Sequence, residues 1–437
     1  MLHNKILKSC TKSAYNSGMT KYRSRIADAV LSEFLQLRGA VLIEGIKWCG
    51  KTTTAKQKSL SVLDLSIKKE KEKAELLVYE DPERLFSLQK PALIDEWQKV
   101  PLIWDALRTH VDSSGIKGEF ILTGSTSQTK AIESMRLHSG TGRIGRLKML
   151  TMSLWESGDS SGEISISNLL DNPERIYAES KHSLEDIAFL CVRGGWPESI
   201  GMSKRNAEKQ ADLYLEELCS SDIQTVDGHR RSAVKMMRIL RSYARFSGSN
   251  APNTSIENDI GDLSRNTLAD YLKVLEDLFV VNESEAWNPN FRSATAVQTS
   301  NTRYFTDPSI TAAALHMGTK DLLSDLETFG LVFETMAIRD LKVYAQSLGS
   351  EILHYRDSSG LECDAVLHGH NGEYALIEVK LSQAQEDAGA KTLKKLRDKI
   401  ARSGRKEPAC LIVLTATGFA HKREDGVFSI PISCLRP

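Results

Sequence analysis

Ala40-Val41-Leu42-Ile43-Glu44-Gly45-Ile46-Lys47-Trp48-Cys49-Gly50-Lys51-Thr52 is the stretch that decides how this chain is read. An apolar run enters a loop bounded by Gly45 and Gly50, and Lys51-Thr52 then opens a helical segment. A strand that breaks in this way turns its backbone N–H groups toward phosphates. The lysine reaches the β- and γ-phosphates, and the threonine hydroxyl reaches Mg²⁺. On this reading Gly45, Gly50, Lys51, Thr52 and Thr53 bind ATP, and the start of the following helix adds favourable dipole charge. The arrangement is a P-loop. Its counterpart is Ala92-Leu93-Ile94-Asp95-Glu96. Asp95 ends an apolar strand where it can hold the same metal, and Glu96 is placed to polarise an attacking water.

The bulk properties set limits around this engine. The chain has 437 residues, which suggests about three domains. Lys+Arg and Asp+Glu both number 57, so there is no global signal for nucleic acid, although a local basic face is compatible with that balance. No apolar stretch approaches the roughly 18–20 residues of a membrane span. Met1-Leu2-His3-Asn4-Lys5 lacks the apolar core of a signal peptide. The 7 cysteines are scattered, odd in number and never spaced as CxxC, a pattern of reduced thiols. A cytoplasmic protein with no membrane partner is expected.

Patterning divides the chain into four parts. In residues 1–157 a helical period runs from Tyr22 to Arg38 into the P-loop strand. The Asp95 strand, a helix around Leu102 to Val111, and the strand Glu119-Phe120-Ile121-Leu122-Thr123-Gly124-Ser125 follow. Strand and helix alternate at short spacing, which predicts a parallel sheet covered on both faces. Ligands of such sheets sit at the carboxyl ends of strands, where Asp95, Glu96, Thr123 and Ser125 fall. Residues 158–228 begin with the linker-like Gly158-Asp159-Ser160-Ser161-Gly162 and continue as a helical linker or lid, interrupted by Gly194-Gly195-Trp196-Pro197. In residues 229–320, Met236, Ile239, Leu240 and Tyr243 mark one helix, and Ile256 to Ile260 a short second. Ser264 caps a third, with the stripe Leu268, Tyr271, Leu272, Leu275 and Leu278. Phe279-Val280-Val281 then reads as a strand, giving a winged helix-turn-helix. Residues 321–437 carry a long helix (Phe329 to Leu341), strands near Ile352, Cys363 and Ala375, a basic helix (Lys391 to Arg402) and the strand Cys410-Leu411-Ile412-Val413-Leu414.

A second constellation lies in that last part. Asp364 interrupts an apolar strand, and Glu378 and Lys380 flank Val379 on the next one. The period of two puts Glu378 and Lys380 on one face while Val379 packs on the other. Two carboxylates from adjacent strands suit an oxygen-loving cation such as Mg²⁺, and Glu334 on the preceding helix offers another. A lysine beside them can orient water and stabilise a phosphorane-like transition state.

Asp364…Glu378-Val379-Lys380 resembles the D…ExK core of the PD-(D/E)XK restriction-endonuclease-like superfamily. The whole chain resembles bacterial and archaeal AAA+-type ATPases in which a P-loop module precedes a winged helix and a C-terminal nuclease-like domain. The matching stretches are Ala40 to Thr52, Leu93 to Gln98, Phe120 to Ser125, His138 to Ile144, Gly194 to Pro197, Leu263 to Leu278 and the C-terminal triad. The expected fold class is α/β multidomain: an AAA+-type parallel sheet, a helical and winged-helix middle, and a restriction-endonuclease-like C-terminal domain. The resemblance implies that Thr123 and Ser125 sense the γ-phosphate. It implies that Arg143 is an arginine finger reaching a neighbouring subunit in a ring or dimer, with Arg136 or Arg146 as alternatives. It also puts Arg265, Asn266 and Lys273 where a recognition helix meets DNA. The expected function is an oligomeric ATPase that positions a Mg²⁺-dependent deoxyribonuclease. The alternative is an ATP-switched DNA-binding or signalling protein with a silent nuclease-like domain.

Overall fold

In the computed structural model, residues 22–124, 140–223, 231–289 and 300–437 are described. The expected P-loop strand is β1 (Ala40–Glu44), followed by β2 (Ser61–Asp64), β3 (Ala92–Asp95), β4 (Phe120–Gly124) and β5 (Ile144–Lys148). They form one wholly parallel sheet in the order β2-β3-β4-β1-β5. Alternate residues of its strands feed two separate cores. Val41, Ile43, Leu93 and Ile121 pack with Ala27 and Leu31 of the helix Ile26–Leu37. Ala40, Leu42, Ile94 and Leu122 pack with Val78 and Leu107 of the helices Lys68–Glu80 and Ile103–Ser114. A parallel sheet buried on both faces is what near-continuous apolar strands require. The short strand β2 carries only one fully buried residue, Leu63, so its weak pattern gave no reading in the sequence.

The Gly158–Gly162 stretch has the composition of a linker, yet it is tied down. Ser160 Oγ donates to the Leu435 carbonyl at 2.5 Å, and the Ser161 N–H to the Ser433 carbonyl at 2.8 Å. Serine hydroxyls that satisfy backbone groups make such a segment ordered rather than loose. Two short strands follow, β6 (Ile164–Ser165) and β7 (Ala178–Glu179). The chain then runs through helices including Leu184–Arg193, Ala233–Arg245, Asn253–Ile260 and Arg265–Asp277. The three expected middle helices are present, but Phe279-Val280-Val281 is not a strand. Among the described residues it bridges only through Val281 to Phe305, and Ser284 bridges Thr302 beyond it.

The C-terminal part builds β8 (Ser350–Arg356), β9 (Glu362–Gly369), β10 (Tyr374–Lys380), β11 (Cys410–Thr415), β12 (Phe419–Lys422) and β13 (Phe428–Pro431). With β7 they form a mixed sheet in the order β7-β12-β13-β11-β10-β9-β8. A final strand, β14 (Leu435–Arg436), runs parallel to β6. The helix Leu326–Ser347 covers one face through Phe333, Ala337 and Leu341. The helix Glu386–Arg402 covers the other through Leu393, Leu396 and Ile400.

A buried polar hub joins these parts. Asp307 Oδ2 accepts from the Gly195 N–H at 2.9 Å, Thr151 Oγ1 at 2.5 Å and Arg339 Nη1 at 3.1 Å. Arg339 also pairs with Asp340 at 2.7 Å, and Asp340 accepts from the Leu154 N–H at 2.9 Å. Gly195 is glycine because of this closeness: a Cβ there lies 2.1 Å from the Met152 carbonyl oxygen.

Candidate nucleotide site and a second, acidic site

β1, β3 and β4 end at the same edge of the parallel sheet, with Asp95 opposite Thr123 in register and Thr123 opposite Ile43. The loop after β1 passes so close to the segment after β5 that a Cβ on Gly45 lies 2.1 Å from the Met149 carbonyl oxygen. Gly45 also sits at φ 153°. Lys51 Nζ donates to the carbonyls of Gly45 and Ile46, both at 2.9 Å, which lays the lysine across the mouth of the loop. Thr52 Oγ1 donates to Asp95 Oδ1 at 2.8 Å, and the Thr123 hydroxyl donates to the same oxygen. The sequence predicts all four residues, and the fold brings them together. A threonine hydroxyl against a buried aspartate is a donor set that fits a hard cation such as Mg²⁺.

Glu96 follows Asp95 in the left-handed region at φ 56°, a conformation that costs free energy in a non-glycine residue and concentrates at functional sites. Its carboxylate accepts from Gln98 Nε2 at 2.6 Å. Beside the loop lies a cavity of about 720 Å³ lined by Tyr22, Arg25, Gly50, Thr53, Thr54 and Pro197, among others. That volume falls within the range of small-ligand pockets. Gln98, Tyr22 and Arg25 were not singled out in the sequence. Gln98 had a signal, since it stands within the Leu93–Gln98 stretch. Tyr22 and Arg25 had none, because they act through contacts with residues far along the chain.

Ser125 and Arg136 lie outside the described residues. Arg143 precedes β5 and pairs with Asp112 at 2.6 Å. It sits at the level of Ala40, the start of β1, whereas the P-loop leaves the other end of that strand. Five residues of strand rise roughly 16 Å, which puts Arg143 at the opposite edge from its own nucleotide site. Arg146 pairs with Glu44 at 3.4 Å.

The second constellation converges on one region, but each of its carboxylates has a partner within the protein. Asp364 Oδ2 accepts from the Val379 N–H at 2.7 Å, Glu378 Oε2 from Lys380 Nζ at 2.7 Å, and Glu334 Oε1 from the Tyr304 hydroxyl at 2.6 Å. Val379 packs toward the helix Leu326–Ser347, as the alternation predicts. Burial pushes the Glu378 carboxyl up to about 8, with Asp364 adding to it and Lys380 opposing. Burial, then Asp364, holds Glu334 well above the usual carboxylate range, and burial raises Asp364. Among the described residues, no three His, Cys, Asp or Glu side chains are set around a common metal position. A cation here would compete with the Lys380 ammonium, the Tyr304 hydroxyl and the Val379 N–H for these carboxylates. Beside Glu334 and Asp364 is a cavity of about 20 Å³, also lined by Tyr304 and His354. His354 Nε2 is buried there with no hydrogen-bond partner among the described residues. Neither Tyr304 nor His354 carries a signal in the sequence.

Arg265 and Asn266 are exposed in the first turn of the helix Arg265–Asp277. Lys273 on the same helix is paired with Asp277 at 2.9 Å and lies 3.6 Å from Glu276, so its charge is met locally. On the basic helix, Lys394 pairs with Asp425 at 2.6 Å and Lys399 with Asp357 at 2.5 Å. These contacts remove part of the basic face expected for phosphate binding. No helix among the described residues is long and apolar enough to cross a membrane.

A family model described as an AAA domain matches residues 37–157, which contain the whole parallel sheet and the P-loop. This part is a P-loop AAA-type ATPase domain. Two models described as domains of unknown function (DUF8612 and DUF4143) match residues 184–321 and 329–435. Uncharacterized proteins of Mycobacterium tuberculosis and Mycobacterium bovis are each 23% identical over 267 residues, covering 61% of this chain and 54% of theirs. The chain thus spans about half the length of the curated relatives it matches. Among solved structures, the Walker-type ATPase of Pyrococcus abyssi is similar at 15% identity and a TM-score of 0.40. The match covers 66% of this chain and 94% of that one.

Proposed function

We propose that the chain binds and hydrolyses ATP at the P-loop and uses the nucleotide state to set the arrangement of its C-terminal part. The observation that carries this is the convergence of Thr52 and Thr123 on Asp95, with Lys51 anchored beside them. The Gly45–Gly50 loop and Lys51 cradle the phosphates, Thr52 and Asp95 hold Mg²⁺, and the base and sugar enter the cavity at Thr53 and Tyr22. Mg²⁺ supplies charge neutralisation on the phosphates. Glu96 orients and deprotonates the attacking water, and Thr123, with Ser125, reads the γ-phosphate. Arg143 acts across a subunit boundary in a homo-oligomer, since its own P-loop is at the other edge of the sheet. The route to the C-terminal part is the Asp307 hub, which touches the segment after β5 and the helix that bears Glu334. The test is Glu96→Gln: nucleotide binding by equilibrium titration stays near wild type while turnover falls. Wild-type turnover in that variant overturns the assignment.

A second reading, metal-dependent DNA cleavage at Asp364, Glu378 and Lys380, is supported by their approach at the ends of β9 and β10. It requires a cation to compete with Lys380, Tyr304 and the Val379 N–H for the carboxylates. Arg265, Asn266 and Lys273 are the proposed DNA contacts. Incubation with plasmid and single-stranded DNA, with Mg²⁺ or Mn²⁺ and with or without ATP, tests this reading. No cleavage under any condition leaves the C-terminal part as a silent, ATP-switched binding or signalling module.

A further inference from the structure

Arg25 is only 6% exposed and precedes the helix Ile26–Leu37, outside the segment that the AAA-domain model matches. Its guanidinium is spent on three partners. Nη1 donates to the Cys49 carbonyl at 2.8 Å, Nη2 to the Leu150 carbonyl at 2.9 Å, and Nε to Glu156 Oε1 at 3.0 Å. Glu156 is held in turn. Its Oε1 also accepts from the Ile26 N–H at 2.8 Å, and its Oε2 from the Ser153 N–H at 2.9 Å. The planar fork is therefore fixed in position and direction, which a lysine cannot reproduce.

We propose that Arg25 is a positioning residue of the nucleotide site, orienting the P-loop by gripping the Cys49–Gly50 peptide. In a trans peptide the N–H points opposite to the C=O. Holding the Cys49 carbonyl toward Arg25 sets the direction of the Gly50 N–H, one of the donors in a phosphate-cradling loop. A carbonyl that accepts a charged donor also polarises its own amide, so that N–H becomes a stronger donor. The second grip, on Leu150, ties the loop to the segment whose Met149 carbonyl presses on Gly45. A Cβ built on Gly50 lies 3.5 Å from Arg25 Nη1, and Arg25 lines the 720 Å³ cavity, so the positive charge stands at the nucleotide's edge. A buried ion pair is weak evidence for a stability role, and the two carbonyl contacts give this one a separate purpose.

The inference rests on the nucleotide reading of the P-loop, and the experiment separates the two. ATP KM and kcat, the affinity for a fluorescent ATP analogue and the nucleotide-free melting temperature are measured for Arg25→Lys, Arg25→Ala, Glu156→Gln and Lys51→Ala. Loss of charge-assisted bonds of this kind corresponds to roughly 10- to 100-fold in affinity. The expected result is that Arg25→Lys raises KM and weakens analogue binding by that factor while kcat stays within about twofold of wild type. Glu156→Gln, which keeps the arginine, shows a smaller rise, and millimolar methylguanidinium restores analogue binding to Arg25→Ala. If Arg25→Lys binds as wild type, or loses activity only in proportion to its folded fraction, the proposal falls. If Arg25→Ala does not fold, Arg25→Lys and Glu156→Gln still decide it. If Lys51→Ala binds nucleotide normally, the P-loop reading itself has failed.

Discussion

At the P-loop, two hydroxyls converge on Asp95 and an ammonium is tied to two backbone carbonyls, beside a cavity of about 720 Å³. At the C-terminal sheet, Glu334, Asp364 and Glu378 face one ammonium, Lys380, beside a cavity of about 20 Å³. The first region gathers donors and leaves room, which suits a large anion. The second gathers negative charge and has space for about one water molecule. The difference teaches that the two regions use their polar groups in opposite ways: each carboxylate of the second is met by a protein donor, and burial raises all three carboxyls.

The comparison breaks most clearly if the two regions turn out to be one machine. Lys51→Ala is expected to lower ATP turnover by roughly 10²- to 10³-fold or more, the scale of losing one charged transition-state donor. Asp364→Ala is expected to leave turnover within about twofold, because among the described residues its hydrogen bond stays within the C-terminal sheet, to the Val379 N–H. Steady-state phosphate release measures both. A comparable loss in Asp364→Ala would show that the two sites are not separate.

A second test goes to the hub between them. Asp307→Ala leaves the Gly195 N–H without its acceptor and Arg339 with Asp340 as its remaining carboxylate, in a site where Asp307 is 0% and Arg339 2% exposed. Losing a charged hydrogen-bond acceptor from a buried site costs about 1.5–3 kcal/mol. Calorimetry should show a clear fall in melting temperature, and an unchanged melting profile removes the hub as a structural joint.

The legibility of the molecule in its sequence follows the same division. The P-loop, the Asp95 strand and Thr123 were readable because strand, loop and lysine are contiguous and their chemistry is tied to fixed spacing. The C-terminal strands were readable from alternation, and Glu378 and Lys380 share a face as the period of two requires. In the Gly158–Gly162 stretch the sequence does not show that Ser160 and Ser161 bond to residues near the C-terminus. Tyr22, Arg25, Tyr304, Asp307 and His354 were illegible for a related reason: each has a partner tens to hundreds of positions away (Thr54, Cys49, Glu334, Thr151 and Ser284), and no local pattern encodes such contacts. Lys273 and the basic helix read as binding surface because sequence shows their charge and not the acidic partners Asp277, Asp357 and Asp425 that meet it.

The charge imbalance of the acidic site predicts a pH signature. Glu378 is raised to about 8 in the folded protein against an ordinary value of 4.5. The unfolded chain releases this proton first, so the folded state loses stability as pH rises from about 4.5 through about 8. Glu378→Gln keeps the neutral form at all pH values. Its melting temperature relative to wild type is therefore expected to climb across that window and level off above it. A difference that stays flat with pH shows that Glu378 is not held protonated.

The smallest expected effect sharpens the comparison at one hydroxyl. Tyr304 reaches Glu334 from the segment that leads into Asp307, and its hydrogen bond opposes the upward pull of burial and of Asp364 on that carboxyl. Tyr304→Phe removes the donor without opening a cavity, so about 1 kcal/mol of stability is expected to be lost. The Glu334 carboxyl should move further up, which ¹³C-detected titration of labelled glutamate can follow. Glu334→Gln alone relieves repulsion and is expected to be neutral or stabilising, and the double variant should show a coupling of about 1 kcal/mol between the two positions. Additive effects would mean that the hydroxyl is an incidental neighbour and that the acidic site belongs to the C-terminal sheet and its helix alone. A measurable coupling makes Tyr304 part of that site, contributed by a different stretch of chain from its carboxylates.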